Sequence, residues 1–166
     1  MSRSSLAIIG AGSSGLIVLK NAIAQLPDWD VQCCEKGDSG RGCWGNPYPG
    51  FISTSTKFTT QFSAYRKYDD SVDLAGRQRY TEFFRDNEYG DYLEDFAAEF
   101  DLYRYISFRT RITRVESSDK EWIVHSEKDE LSRQTFSAVI VATGLAQKPR
   151  KLVADLPYVT EGSELE

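Results

Sequence analysis

The sequence is poor in the residues that most hydrolytic and metal sites need. Its 166 residues include one histidine, His125, and three cysteines, an odd number without a CxxC pair. We therefore expect no disulfide framework and no metal site, and most serine or cysteine hydrolases are disfavoured because His125 would have to act as the base. His125 stands in an alternating, strand-like segment, which favours a solvent-facing or hydrogen-bonded histidine over a catalytic one.

Long apolar runs and a basic stripe are also missing. No stretch approaches the roughly 18 apolar residues of a membrane-spanning helix, and no apolar segment follows a basic N-terminus. Acidic and basic residues are interspersed, with a formal net charge of −5 at pH 7. We therefore expect no membrane span, no nucleic-acid partner and a soluble, cytoplasmic protein.

What the chain does contain is a glycine motif directly after a strand-like run. Leu6–Ile9 leads into Gly10-Ala11-Gly12-Ser13-Ser14-Gly15, and a helix-length apolar stretch follows. The first glycine allows a sharp turn, the second allows a pyrophosphate to approach the backbone, and the third lets the helix lie close to the sheet. The order of these features predicts a dinucleotide site, although a glycine-rich turn without a ligand is the alternative.

An acidic residue follows at the spacing that such a site needs. Val31–Glu35 is typical of a second strand and places Glu35 twenty residues after Gly15. A carboxylate at this position accepts hydrogen bonds from ribose hydroxyls, while the pyrophosphate lies at the helix N-terminus. Because the acid is anionic, the pattern favours FAD or NAD over NADP.

The rest of the chain alternates between helical and strand-like patterns. A long segment, Gly37–Tyr68, has little periodicity, and its seven aromatic residues either wall a planar ligand or pack as core. Helical spacing predicts helices at Tyr80–Asn87 and Tyr89–Phe100. Alternation from Tyr105 onward predicts a small antiparallel meander. The apolar run Phe136–Ala142 predicts a strand covered on both faces and placed beside the first strand.

Four landmarks in this order resemble the FAD-binding opening of the flavin-containing monooxygenase family, which is related to the Baeyer–Villiger monooxygenases. They are Gly10–Leu16, Glu35-Lys36, Arg41–Trp44 followed by Tyr48-Pro49-Gly50, and Val141–Gly144. The resemblance covers roughly residues 4 to 150. It implies an α/β fold, a Rossmann-like FAD-binding domain with a parallel sheet and a small antiparallel β-meander, incomplete relative to the family. We expect this domain at residues 1–150 and a tail or linker at residues 151–166.

The resemblance also implies which residues bind FAD, whereas the catalytic residues stay unknown. The glycine motif would hold the pyrophosphate, Glu35 with Lys36 the ribose, and Ile112 the adenine through main-chain groups. Other residues would lie near the flavin or pass close to the cofactor. The complete predicted set is Gly10, Gly12, Ser13, Ser14, Gly15, Glu35, Lys36, Gly42, Trp44, Thr54, Ser55, Ile112, Ala142, Thr143 and Gly144.

Two departures from the family bear on function. Arg41-Gly42 stands where the family often has two glycines, and Thr54 stands where it often has an asparagine at the reactive edge of the flavin. The threonine puts normal oxygen activation in question. A second glycine motif, which binds NADPH in the family, does not follow Ala146.

The activity that the resemblance implies is NAD(P)H-driven monooxygenation of a small molecule, by oxygen transfer from a flavin peroxide. FAD is the expected cofactor, and NADPH would bind only through a region absent from this chain. The alternatives are a non-catalytic or split FAD-binding subunit, completed by a partner chain or by self-association, and another flavoprotein oxidoreductase with two dinucleotide sites. The substrate and the oligomeric state are not predicted.

The motif yields a direct prediction about cofactor binding. Gly12→Val should abolish FAD binding because a branched side chain would stand against the pyrophosphate, whereas Glu35→Ala should weaken binding less. A titration of FAD into each purified variant measures both effects. Equal affinity of the wild type and Gly12→Val would contradict the assignment.

Overall fold

The computed structural model describes residues 3–68, 82–127 and 132–144. The strands are β1 (Ser5–Ile9), β2 (Asp30–Cys34), β3 (Ile52–Thr56), β4 (Phe83–Arg85), β5 (Ile106–Ser107), β6 (Ile112–Ser118), β7 (Glu121–Ser126), β8 (Ser132–Phe136) and β9 (Ala138–Val141). The helices are α1 (Ser13–Gln25), α2 (Lys57–Thr60) and α3 (Glu88–Glu99), with 3₁₀ turns at Gly42–Trp44 and Tyr103–Tyr105. The predicted tail at 151–166 and its boundary with the domain lie outside the described residues.

A parallel sheet organises the fold. Its strand order is β5-β2-β1-β9, and each neighbouring pair is parallel. In the centre of the sheet, Ile8 of β1 lies opposite Cys33 of β2 on one side and Ile140 of β9 on the other. Because the strands are parallel, their last residues meet at one edge, which we call the carboxyl edge.

The two faces of this sheet are covered by different layers. Leu6 and Ile8 of β1 belong to a buried core that also contains Leu16 of α1 and Phe96 of α3. Ala7 points to the opposite face, as alternation along a strand requires. There it joins Val124 of β7 and Phe136 of β8 in a second, smaller cluster beneath the three-stranded antiparallel sheet β6-β7-β8.

Most of the predicted elements are present. The helix after the glycine motif, the strand that leads to Glu35, the helix near Tyr89–Phe100 and the antiparallel meander all form. The last strand lies beside β1, as expected. The predicted α/β class, with a parallel sheet and a small antiparallel meander, is therefore confirmed.

Four expectations were wrong. Tyr80–Asn87 was expected to be helical, but its described part contains β4, which pairs with β3. Phe84 is buried between an exposed Phe83 and an exposed Arg85, so the burial period is two, as in a strand. Within Gly37–Tyr68, which showed little periodicity, β3 and α2 form.

The other two corrections concern the sheets. Ile106 was assigned to the meander, but it belongs to β5 and extends the parallel sheet beside β2. The last strand was expected to be covered on both faces. Instead it ends with Ile140 at 37% and Val141 at 65% exposure, because β9 is the last strand in the sheet order.

The packing of Gly15 in α1 predicts a loss of stability on substitution by alanine, whereas helix propensity alone would predict a gain. Replacing a helical glycine with alanine normally stabilises a helix. Here a Cβ on Gly15 would lie 1.8 Å from the Gly10 carbonyl oxygen. We expect Gly15→Ala to destabilise the fold by at least about 3 kcal/mol, since the contact involves backbone.

Urea unfolding followed by circular dichroism measures this effect. Ser14→Ala is the matched control, because Ser14 is exposed in the same helical turn and should change stability little. Wild-type stability of Gly15→Ala would contradict the predicted packing.

Candidate functional site

The glycine turn, Gly10–Gly15, connects β1 to α1 at the carboxyl edge. Gly10 has a φ of 100°, a conformation that side chains rarely permit. A Cβ at this position would lie 2.5 Å from the carbonyl oxygen of Ala142, which follows β9. The Gly10 N–H donates to the Cys34 carbonyl oxygen at 2.8 Å. The turn is therefore held between the ends of β2 and β9 by main-chain contacts.

A second backbone segment, the tryptophan turn (Gly42–Trp44), lies against the glycine turn. Gly42 has a φ of 57°, and a Cβ on it would lie 3.0 Å from the Gly12 Cα. Gly12 is half-buried, whereas Ser14 and Gly42 are exposed. Two stretches of bare backbone thus meet at the N-terminus of α1, where main-chain N–H groups of the first helical turn point outward.

Glu35 is positioned by main-chain donors. Its Oε2 accepts the Ala11 N–H at 2.7 Å, its Oε1 accepts the Gly37 N–H at 2.7 Å, and the residue is 8% exposed. The residue also connects strands, because its own N–H donates to the Ser107 carbonyl oxygen at 3.0 Å. Each carboxylate oxygen has lone pairs left for a second donor, so the group can still accept ribose hydroxyls.

Several other predicted residues lie at the end of a strand or next to it. Lys36 follows Glu35 and is exposed, and Ala142 to Gly144 follow β9, with Thr143 and Gly144 exposed. Ile112 begins β6, where its side chain packs against the smaller core cluster. A side chain held in this way leaves main-chain groups as the means by which Ile112 would meet adenine.

Thr54 and Ser55 lie in β3, which pairs with β4 in a separate two-stranded sheet. Both side chains are exposed, and the pairing of β3 with β4 shifts register between Ile52 and Thr56, so simple alternation does not assign them to opposite faces. The Ser55 hydroxyl accepts a hydrogen bond from the Thr60 hydroxyl at 2.6 Å. This sheet is separate from the parallel sheet that carries the glycine turn. The position of Thr54 and Ser55 near a flavin therefore stays a prediction.

The aromatic residues of segment 37–68 were expected either to wall a planar ligand or to pack as core. Phe62 and Tyr65 pack against the main core, with Phe62 4.6 Å from Phe96 between ring centroids. Tyr48, in contrast, is 66% exposed. Phe62 and Tyr65 therefore serve as core, as does Trp44 near the start of the segment, whereas Tyr48 lies at the surface.

The residue that sequence reasoning missed is Tyr89, in the first turn of α3. Its ring meets the Trp44 ring edge-on, with centroids 5.0 Å apart, and it is 5% exposed. Burial raises the pKa of the Tyr89 hydroxyl, and a hydrogen bond with the Ser13 side chain opposes that rise. Tyr89 thus bridges both turns. A helical pattern alone predicted only an apolar face there.

Two further reactive side chains, the Cys33 thiol and the His125 imidazole, have structural surroundings. Burial raises the pKa of the Cys33 thiol to about 12, with smaller contributions from neighbouring Cys34 and Glu35, so the thiol stays protonated. His125 lies in the meander with its Nε2 2.7 Å from the Glu116 Oε2, and this hydrogen bond lowers the pKa of Glu116. The prediction of a hydrogen-bonded histidine is confirmed.

These features fit a diphosphate-containing dinucleotide. The glycine turn and the tryptophan turn expose main-chain groups where a Cβ would intrude, and α1 directs its positive end at that place. Glu35 lies within one hydrogen bond of the turn, at the end of the neighbouring strand. The fold and this site define the class, a dinucleotide-binding α/β protein with its site at the carboxyl edge of a parallel sheet.

The family is also identified. The family described as FMO-like, flavin-binding monooxygenase-like, matches residues 3–161. The chain belongs to this flavin-binding monooxygenase-like family, and the predicted resemblance is confirmed.

Individual relatives agree with this assignment. Dimethylaniline monooxygenase [N-oxide-forming] 4 of Homo sapiens is 28% identical over 170 residues, which cover 93% of this chain and 28% of the relative. Monooxygenase PC-14 of Penicillium crustosum is 32% identical over 152 residues, 87% of this chain and 25% of the relative. The closed crystal structure of cyclohexanone monooxygenase superposes with a TM-score of 0.71 and 26% identity, covering 92% of this chain and 28% of that one.

The chain therefore spans less than a third of the length of these relatives. Within residues 3–68, 82–127 and 132–144, no helix combines the length and apolar character needed to cross a bilayer.

The double anchoring of Glu35 yields a stability prediction that needs no cofactor. In Glu35→Gln, one of the two main-chain N–H donors would face an amide NH₂ group and lose its acceptor. We expect a loss of about 1–3 kcal/mol in the free energy of unfolding of the cofactor-free chain.

Chemical denaturation of the cofactor-free protein tests this. Asp38→Asn is the matched control, because Asp38 is exposed in the same loop and should change stability by no more than about 0.5 kcal/mol. If both variants unfold like the wild type, Glu35 does not hold the turn.

Proposed function

We propose that this chain is the FAD-binding part of a flavin-dependent, NADPH-driven monooxygenase that acts on a small molecule. One observation carries the proposal: two turns meet at glycines, Gly12 and Gly42, at the N-terminus of α1 beside the Glu35 carboxylate. Family membership and the monooxygenases among its relatives support the same assignment.

The residues of the glycine turn, together with Gly42 and Glu35, have physical roles in this proposal. The first-turn N–H groups of α1, near Ser13 and Ser14, would bind the FAD diphosphate, and Gly12 and Gly42 leave the space for it. Glu35 would accept hydrogen bonds from the ribose hydroxyls. Close packing of the Gly10 turn against Ala142 would keep water from the buried side of the diphosphate.

The remaining parts of the reaction depend on more than this chain's residues. Bound flavin supplies the oxygen-activating chemistry, and the protein binds it, orients it and excludes water. No GxGxxG pattern follows Ala146 in this sequence, and we propose that NADPH is bound by another region of the protein. Thr54, where the family often has an asparagine, is the residue whose identity bears on oxygen activation. A cytoplasmic location is part of the proposal, on the grounds of the sequence.

A partner chain or self-association that completes the fold is the second candidate role. The exposure of Ile140 and Val141 favours it, because apolar side chains on an edge strand are normally covered. In this form the chain would be a split or non-catalytic FAD-binding subunit. Sedimentation that depends on concentration would support this role, and a monomer at all concentrations would exclude self-association.

Binding of FAD by the purified 166-residue chain tests the main proposal. We expect saturable quenching of flavin fluorescence by the wild type. Gly12→Ala should weaken binding at least about tenfold, because the methyl group would occupy the diphosphate's space. The same methyl group would lie 3.4 Å from the Gly42 Cα, an ordinary contact, so the variant should fold.

Gly45→Ala is the matched control for this experiment. Its added Cβ would lie 3.5 Å from the Arg41 Cβ, also an ordinary contact, and Gly45 lies just outside the tryptophan turn. It should bind FAD like the wild type. A wild-type chain that does not bind FAD, or equal affinity in Gly12→Ala, would contradict the proposal.

A further inference from the structure

Arg41 directly precedes the tryptophan turn, at a position where the related family often has glycine. A cation so close to a diphosphate site would ordinarily be assigned to the phosphate. Its guanidinium is engaged elsewhere: Nη2 lies 2.7 Å from Asp91 Oδ1 and 2.6 Å from Glu94 Oε2, both in α3. Asp91 and Glu94 are three residues apart and therefore share one face of the helix.

The packing around this guanidinium is close and partly shielded from solvent. The Arg41 side chain is 23% exposed. A Cβ on Gly90 would lie 3.2 Å from Arg41 Nη1 and 2.9 Å from the Trp44 carbonyl oxygen, so α3 touches both ends of the turn. The hydrogen bond to Glu94, supported by Asp91 and opposed by partial burial, raises the pKa of Arg41 above its ordinary value.

The Arg41 backbone continues into the turn that faces Gly12. Its carbonyl oxygen accepts the Trp44 N–H at 3.1 Å, and Gly42 stands against the Gly12 Cα. A displacement of Arg41 would therefore move Gly42 relative to the glycine turn. Because both carboxylates bind a single cation, the three charges form a small network, whose members are stronger together than an isolated surface pair.

We propose that Arg41 is a positioning residue: its ion pairs with Asp91 and Glu94 hold the tryptophan turn against the glycine turn and thereby set the affinity for FAD. The inference rests on the proposed function and adds that α3, which contributes no residue to the predicted FAD set, controls that site. Arg41 does not bind the diphosphate in this account.

The direction in which Glu94→Gln changes FAD affinity distinguishes this inference from direct phosphate binding by Arg41. Glu94→Gln removes a negative charge near an anionic ligand. If Arg41 bound phosphate, freeing it from Glu94 would strengthen FAD binding. If Arg41 holds the turn, Glu94→Gln should weaken FAD binding about five- to tenfold, and Arg41→Gln should weaken it similarly.

Asp95→Asn is the matched control. Asp95 is the next residue of α3, but it pairs with Lys67 and not with the tryptophan turn. Asp95→Asn removes one negative charge from α3, as Glu94→Gln does, but it leaves the tryptophan turn untouched. The FAD affinity of this variant should therefore stay at the wild-type value. The double variant Arg41→Gln/Glu94→Gln should bind no more weakly than Arg41→Gln alone, because Arg41→Gln already removes the pair with Glu94.

Hydrogen exchange of the cofactor-free chain gives a second measurement that does not depend on FAD. Amide exchange in the peptide containing residues 42–45 should accelerate in Glu94→Gln and not in Asp95→Asn. Stronger FAD binding by Glu94→Gln, or unchanged affinity with unchanged exchange, would overturn the inference. A wild-type chain that fails to bind FAD would contradict the proposed function instead, and the exchange result would still decide whether Arg41 holds the turn.

Discussion

The site depends on how closely two backbone segments can approach each other. Gly12 of the glycine turn and Gly42 of the tryptophan turn meet with no side chain between them, and Gly10 meets Ala142 on the other side. A diphosphate needs main-chain donors that it can reach. A Cβ on one of these glycines would stand between the diphosphate and the donors. The parallel order of β2, β1 and β9 matters because it brings these segments to one edge.

The polar groups around the turns serve this approach in different ways. Glu35 accepts one main-chain N–H from the glycine turn and one from its own loop, so it fixes the turn as well as offering oxygens to a sugar. The Arg41 guanidinium is paired with Asp91 and Glu94 of α3. In the proposed site, charge would act first on the shape of the backbone, and the helix terminus would supply the attraction for phosphate.

Local patterns were enough to predict the glycine turn between β1 and α1, and not the contacts that support it. The spacing of Gly10, Gly12 and Gly15 after a strand predicts the turn, because each glycine answers a need within the same short segment. The contacts of Arg41 with α3 join residues about fifty positions apart, and only the fold brings them together. Phe83–Arg85 was mistaken for helix because its burial pattern depends on pairing with β3, which no local window contains. The roles of Thr54 and Ser55 stay predictions, because β3 pairs with β4 in a sheet separate from the one that carries the glycine turn.

The pairing of β1 with β9 also affects the order in which the sheet can form during synthesis. Ser5 and Ser137 exchange hydrogen bonds across 132 positions of chain, and this separation gives the sheet a high contact order. The wall that Ala142 forms beside Gly10 is therefore completed only after nearly all of the described chain has left the ribosome. A nascent chain that stops before β9 would leave one edge of β1 unpaired and would lack the segment that packs against Gly10.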